Sequence, residues 1–581
     1  QIGLQPKAYW TYSTQDFCCT TMFALQTSML LLAAVPQVSG HGHLGGIPGL
    51  SRMMSQEGFV GFANWWKSNT TEVEHALPLK VEGSIPTWLS GSLVRNGPGL
   101  FEDGTTKVNH QFDGLSKITK FSLKGGQVTF QVRFLRTALY NETMKEGKLP
   151  PHMTMVPMIP ALNFVQRVEA MANANKYAPV NIFIWRTGDA HYATDDTCHD
   201  TRFDLETLGT MGTLPIKNNH KGDSVTGAHK QPAFAKEDSG VTCGWQGSIE
   251  MPSGKVMMSV YIDTADLTRQ FIGKVETDSP SVVHSFGVTE NYVLVVIPSL
   301  EIDVKAAAEA IFHDGHNFSG LSSLSWRPNK KSIAYVFDAH SKDPAKAPIR
   351  KFELEAMYFN HHVNAWEEKG KIVMDLIGYS DGSFITNPHG FANLEVEVDQ
   401  DARRRIGATT APPEFRRYHL DMEMQEEPAT ADFEALPLKD SVNGFSYNVE
   451  MPRFNDRARR GKSYCYIYAM ASHIQHMNDT LPNVVKADLC NHGRSTEWYE
   501  PDHYPSEPIF VPRPGAVDED DGVVLAVTLD GPRALTYLLV LDAKSMKTLA
   551  KVYTPVFQPY DVHGQFFPDA SMYAPQMAVL V

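Results

Sequence analysis

From about Leu77 onward the chain repeats one pattern: short runs rich in Val, Ile, Leu, Tyr and Phe, separated by clusters of Gly, Pro, Asn and Asp. Many runs alternate apolar and polar positions, the signature of strands with one face buried. Residues 127–134, 181–186, 256–263, 332–339, 371–378, 523–530 and 536–543 are therefore predicted strands. Two stretches break the pattern with helical periodicity, 163–176 and 303–312, the second with an Ala-rich centre. Strands spread over the whole length predict one large all-β architecture. A β-propeller fits, because every blade sends its innermost strand to a common axis. No clean repeat period and no Trp-Asp signature marks the blades.

One apolar stretch does not fit a strand or a regular helix. Residues 150–165, PPHMTMVPMIPALNFV, carry four prolines, which remove backbone donors and block both ladders. Two readings stand for it: a loop packed under the core, or an apolar rim giving peripheral membrane contact where a greasy substrate enters.

The N-terminal part reads differently. From Met22 the chain runs MFALQTSMLLLAAVPQVSG, an apolar stretch followed by small residues at Val38, Ser39 and Gly40. Residues 1–40 are read as upstream sequence and a signal peptide, 41–76 as an N-terminal arm, and 77–581 as a single β-propeller domain. The expected location is the secretory pathway; failing that, the protein is cytoplasmic and peripherally membrane-associated. The competing reading of 22–40 is a buried or membrane-skimming helix, since the run is too short to span a bilayer.

Composition narrows the function. The net charge of -14 repels phosphate backbones, and the basic run Arg457-Ala458-Arg459-Arg460 is short, so nucleic acid is excluded as a partner. Beyond Gly40 the cysteines are Cys198, Cys243, Cys465 and Cys490, which allow two disulfides in three pairings or four buried thiols. They form no C-x-x-C pair, so a zinc ribbon is excluded. Sequons at Asn69, Asn141, Asn317 and Asn478 are compatible with export.

Four of the 22 histidines stand in contexts unlike the rest. His229 lies in TGAHKQPA within a Gly-rich stretch, His284 in SVVHSFGVTENYVLVV and His361 in FNHHVNAWEEKG each just before a strand, and His563 in PYDVHGQFF near the C-terminus. They are scattered over more than half the chain, so one helix or hairpin cannot hold them together. Only a closed fold that gathers distant strand ends does so.

The strings around them resemble the carotenoid cleavage oxygenase family. The resemblance is carried by SGSLVRNGPGLFEDG (90–104), HQFDGLSKI (110–118), VHSFGVTENY (283–292), HHVNAWEEKG (361–370), YPSEPIFVPRPGAVDEDDGVVLAV (504–527), TYLLVLDAKSM (536–546) and DVHGQFF (561–567). It is closest to the animal branch of β-carotene oxygenases and the retinoid isomerohydrolase. The resemblance implies a seven-bladed β-propeller with a helical or loop cap over a metal centre, and iron(II) held by His229, His284, His361 and His563. It further implies carboxylates behind three ligands: Asp196 with His284, Glu450 with His361 and Glu507 with His563. Four neutral imidazoles suit such a borderline metal, and a carboxylate fixes the far ring nitrogen of each ligand it meets.

The implied activity is iron-dependent cleavage of a conjugated carotenoid double bond by dioxygen, giving apocarotenoid aldehydes of the retinal type. The alternatives are a retinoid isomerohydrolase acting on retinyl esters and a secreted, non-catalytic carotenoid-binding protein. Some positions depart from the family pattern. Asp196 stands where Glu is usual, about 1.5 Å shorter in reach, with Asp195 as the other occupant. Asn360 replaces an aromatic residue before the third ligand, and His362 is a second imidazole beside it. The Pro-Asp-Pro-Cys-Lys string of the animal branch is missing from KLPPHMTMVPM. His110, in HQFDG, is a structural position in the family and is not counted as a ligand.

Overall fold

Each predicted strand run forms a strand within two residues of its expected ends: Gln127–Phe134, Phe183–Thr187, Lys255–Asp263, Ser332–Asp338, Lys371–Tyr379, Gly522–Asp530 and Leu535–Asp542. The computed structural model of the chain describes residues 59–573 apart from 198, 220–222, 237–238, 251–252, 254, 314–315, 317, 391, 443, 445, 473–481 and 493. The strands make seven sheets of four to six members, almost entirely antiparallel, and these are the blades of a seven-bladed propeller. Two further two-stranded ribbons, Leu300–Ile302 with Leu324–Trp326 and Glu102–Asp103 with Thr106–Lys107, lie outside them.

The ring is closed by one sheet that takes strands from both ends of the described chain. Its order is Val73–Leu79, Gln127–Phe134, Leu115–Lys124, Gly91–Leu100 and finally His563–Pro568. In the last pairing Asn96 faces His563 and Gly91 faces Pro568. Gly564 is what lets these strands close up, since a Cβ there would lie 2.4 Å from the Val94 carbonyl oxygen and 2.5 Å from Arg95 Cδ. The closure fixes the first residue of the innermost strand, His563, on the axis.

Over one end of the ring sits a cap of helices and loops. Phe164–Ala172 and Val304–His313 occupy the two predicted helical stretches. The first begins in a capping box, Asn163 and Gln166 satisfying each other's backbone N–H groups. Arg167 joins the two helices, donating from Nε to the Ile311 carbonyl (2.8 Å) and from a terminal nitrogen to the Leu162 carbonyl (2.7 Å). A third helix, Ala138–Glu146, was not expected from the periodicity. The proline-rich stretch leading into the cap is extended, with His152, Thr154, Val156 and Met158 buried and the positions between them half-buried. Its far end is exposed at Ile159, Pro160 and 163–165, so the stretch has a packed part and an apolar rim.

The described part of the N-terminal arm is packed against the cap. The 3-10 turn Phe62–Trp66 buries Phe62, Trp65 and Trp66, with Phe62 against Tyr504 (ring centroids 4.9 Å apart) and Trp65 against Tyr560 (4.8 Å). The outer strand Val73–Leu79 of the closing blade starts before residue 77; its mostly exposed positions and Pro78 left no alternation to read. The signal-like segment lies outside the described residues, as do Cys198, Asn317 and Asn478. Among the described residues no helix is long and apolar enough to cross a membrane.

Cys465 and Cys490 form a disulfide, and Cys243 is a buried free thiol. The bridge closes a loop of 25 residues within the sixth blade. A loop of that length contributes about 3 kcal/mol by constraining the unfolded chain. Replacing both cysteines by serine is therefore expected to lower the urea midpoint of unfolding, and an unchanged midpoint would show that the bridge contributes nothing. Of the two described sequons, Asn141 is exposed, whereas the Asn69 side-chain amide donates to the Phe557 carbonyl.

Candidate metal centre

The propeller brings His229, His284, His361 and His563 to one point, with one ring nitrogen of each inside a 4.8 Å cluster. They come from four different blades. His229 follows the inner strand Asp223–Thr226 of the third, and His284 precedes the inner strand Gly287–Val288 of the fourth. His361 lies in Tyr358–Glu368 of the fifth, and His563 begins the strand that closes the first. The register of Tyr358–Glu368 shifts twice around His362, between Phe359 and Asn364. Bulges of this kind re-aim side chains, which explains how the adjacent His361 and His362 come to serve different places.

Three of the four rings are held from behind. Nδ1 of His284 lies 2.9 Å from Asp196, Nδ1 of His361 2.5 Å from Glu450, and Nδ1 of His563 2.9 Å from Glu507. These are the pairings expected from the resemblance. Asp196 makes direct contact despite its shorter side chain because its backbone is stitched to the ligand loop. Its carbonyl accepts from Thr226 N (3.2 Å) and its second carboxylate oxygen from Ala228 N (2.9 Å). Asp195 turns elsewhere, accepting from Val180 N and from Thr197. Replacing Asp196 by alanine is expected to weaken metal affinity by about 10–100-fold, as losing such a partner generally does. Competition against a chelator measures this; an unchanged affinity would mean that other contacts orient His284.

The tautomers follow from these contacts. A neutral imidazole has one N–H, and where Nδ1 donates it to a carboxylate, Nε2 is a bare lone pair. Nε2 of His361 and Nε2 of His563 nevertheless lie 3.3 Å apart. Burial, with the neighbouring imidazoles, holds His563 down to about 3 against the pull of Glu507, so it is neutral at ordinary pH. Two lone pairs pointed at one spot repel each other unless a cation lies between them. Burial and the surrounding imidazoles also lower His229 far below the usual range. His284 differs: burial pulls it down, and the Asp196 carboxylate outweighs that and raises it. The residues present fit a metal ion.

Ring separations define the arrangement further. Five of the six centroid distances fall between 4.4 and 5.4 Å, while His284 and His563 are 6.2 Å apart. A regular tetrahedron, usual for structural zinc, has six equal edges, and a square has two long diagonals. One long pair and five short ones match neither arrangement.

The carboxylates are themselves anchored by residues the sequence reading passed over. Glu507 accepts from His563, Arg95 (2.7 Å), Arg453 (2.8 Å) and the Gly564 N–H (3.0 Å). Burial pushes Glu507 up, but Arg453, His563 and Arg95 together hold it well below the usual carboxylate range. Arg95 is fully buried and bridges Glu507 to Asp561 (2.6 Å). Burial also opposes ionisation of Glu450, and His361, the Tyr379 hydroxyl (2.5 Å) and Met451 N (2.9 Å) reverse it. The signal for Arg95 was present in SGSLVRNGPGL: an arginine inside an apolar strand is rarely buried without a partner. His110 is buried away from the cluster, where its side chain accepts from Phe112 N. The Asn360 side chain pairs with the Tyr358 hydroxyl.

A seven-bladed propeller with four imidazoles gathered on its axis defines a class of metal-dependent proteins in which the blades, not a local motif, assemble the ion site. The chain belongs to the family described as retinal pigment epithelial membrane protein, the carotenoid oxygenases, whose model matches residues 66–568. The β,β-carotene 15,15'-dioxygenase of Homo sapiens is 30% identical over 538 residues, covering 86% of this chain and 94% of that protein. The enzyme of the same name from Gallus gallus is 29% identical over 533 residues, covering 86% and 97%. Among solved structures, a variant of the Synechocystis apocarotenoid oxygenase superposes with a TM-score of 0.73 at 25% identity, covering 88% of this chain and 98% of that one.

Proposed function

We propose that the chain is an iron(II)-dependent dioxygenase that cleaves a conjugated double bond of a carotenoid to apocarotenoid aldehydes of the retinal type. His229, His284, His361 and His563 are its metal ligands, and Asp196, Glu450 and Glu507 orient three of them. The ring arrangement carries this reading, because four imidazoles gathered on the axis would hold such an ion by nitrogen alone and leave it room for reactants. When bound, the iron supplies the place where dioxygen is activated beside the substrate. Four neutral nitrogens leave such an ion its full charge.

The remaining work falls to the protein. Asp196, Glu450 and Glu507 keep the Nδ1 protons of their histidines in place, so each Nε2 stays a lone-pair donor of fixed direction. Phe183 packs its ring over His229 (ring centroids 4.4 Å apart) and fixes the position of that imidazole. On the cap side, Tyr560 lies three residues before His563 and joins the aromatic cluster of Phe62, Trp65 and Trp66.

The carotenoid or retinoid substrate reaches the cap from a membrane surface in this reading. Its support is an exposed apolar patch on the cap: Ile159 in the stretch leading in, and Phe164, Val165 (72% exposed), Val168 and Phe312 (53%) on the helices. Phe164 and Phe312 touch across the two helices, with ring centroids 5.8 Å apart. A secretory location is supported by the Cys465–Cys490 bridge, since such bonds persist mainly in oxidising compartments.

The test is incubation of the purified, iron-loaded chain with β-carotene and a small panel of carotenoids under oxygen, with products identified by mass spectrometry. Retinal-type aldehydes are expected. Retinol released from a retinyl ester without oxygen uptake, or intact carotenoid retained with no product, would instead support the isomerohydrolase or the carrier and contradict the proposal.

A further inference from the structure

The centre has a second approach, on the side away from the cap. Two adjoining hollows lie there: the inner is walled by His229, Lys230, His361, His362, Arg460 and Glu507, among others. The outer is walled by Arg186, Phe510, Gln565, Phe566 and Tyr573, and Trp185, Arg453 and Asp456 line both. The closing strand gives their direction. Tyr560 packs in the cap cluster, His563 lies at the ligand cluster, and Phe566–Phe567–Pro568 wall the outer hollow. The two hollows thus line up from the ligands toward the propeller face opposite the cap.

Its inner wall does not suit a carotenoid. The charged groups facing it are Lys230, Arg453, Asp456, Arg460 and Glu507. Arg453 is paired with Glu507 (2.8 Å). Arg460 forms a strut across the passage, donating to Asp456 (2.5 Å) on its own blade and to Gln231 Oε1 (2.6 Å) on the third. Beside the ligands stands His362, only 9% exposed, with its Nε2 buried and lacking any hydrogen-bond partner. Its ring lies over Gly287, where a Cβ would come within 2.5 Å of Nε2, so the glycine makes its place. His362 is outside the four-histidine cluster. A buried imidazole nitrogen with no partner is costly, and a passing cation would give it one.

We propose that this axial passage is the loading route of the divalent metal ion, with His362 as a transit ligand and the Arg460 strut as its gate. The inference rests on the metal-centre reading above. A hydrated cation entering from the open face exchanges water for imidazole at His362 before reaching the four final donors. The Arg460 charge opposes its passage until the strut swings aside.

The test follows cobalt(II) uptake by the full chain after chelator treatment, as metal retained after rapid desalting at successive times. His362→Leu is expected to reach the wild-type metal content severalfold more slowly. Arg460→Gln is expected to load faster by roughly tenfold, the lower end of what charged clefts do to ion on-rates. Circular dichroism checks that both fold, and the Arg460 variant keeps the test decisive if the His362 variant does not. Wild-type rates in Arg460→Gln, or in a folded His362→Leu, overturn the route while leaving the centre standing. No saturable uptake by the wild-type chain overturns the centre and the route with it.

Discussion

His563→Ala is expected to fold, to lose its metal and to lose activity. His563 makes the short nitrogen contacts with both His229 (3.2 Å) and His361 (3.3 Å), so it is the corner the other donors share. Its backbone is held independently, because His563–Pro568 is paired along its length with Gly91–Leu100. Glu507 stays ionised and satisfied through Arg95 and Arg453 after the imidazole is gone. The loss of affinity should exceed the roughly 10–100-fold cost of removing a supporting carboxylate. Metal content by mass spectrometry, with circular dichroism as a check on folding, measures it. His110→Ala is the matched control: an equally buried histidine outside the cluster, whose loss should leave the metal in place.

The second large effect concerns stability. Arg95→Leu removes the cation that joins Glu507 and Asp561 in the interior and leaves two buried carboxylates facing each other's charge. Breaking a buried pair from one side costs about 3–5 kcal/mol; here Asp561 loses its cation, while Glu507 keeps Arg453. The urea midpoint should fall by an amount of that order, and metal should bind more weakly because Glu507 no longer holds His563 as firmly. Arg95→Lys should recover only part, since an ammonium cannot span both carboxylates as the planar guanidinium does. Wild-type stability in Arg95→Leu would show that the network is not what fixes the closing strand.

Much of this was legible in the sequence, for reasons that differ by element. Strands such as 371–378 and 523–530 announced themselves because they are buried, apolar and punctuated. The blade count was not legible from periodicity, since the blades share a shape without sharing residues; it came from the resemblance. The four histidines stood out by their strings alone, and their convergence is a property of the closed ring that no local pattern encodes. The helix Ala138–Glu146 escaped notice because it is short and mostly exposed, although Thr137 at its start and Gly147 at its end are ordinary capping signals. The pairing of Asp196 with His284 depends on a backbone stitch to residues 226–228, which the sequence does not reveal. The disulfide belonged to one of three pairings, with four buried thiols as the other reading, until Cys465 and Cys490 were seen on neighbouring strand ends.

The most direct measurement is X-ray absorption at the iron edge of the purified, iron-loaded chain. One iron per chain, surrounded by imidazole nitrogen from four histidines with lighter-atom ligands completing six-coordination and no sulfur, is the expected result. A sulfur shell, or a spectrum with fewer imidazoles than the four rings supply, would contradict the account.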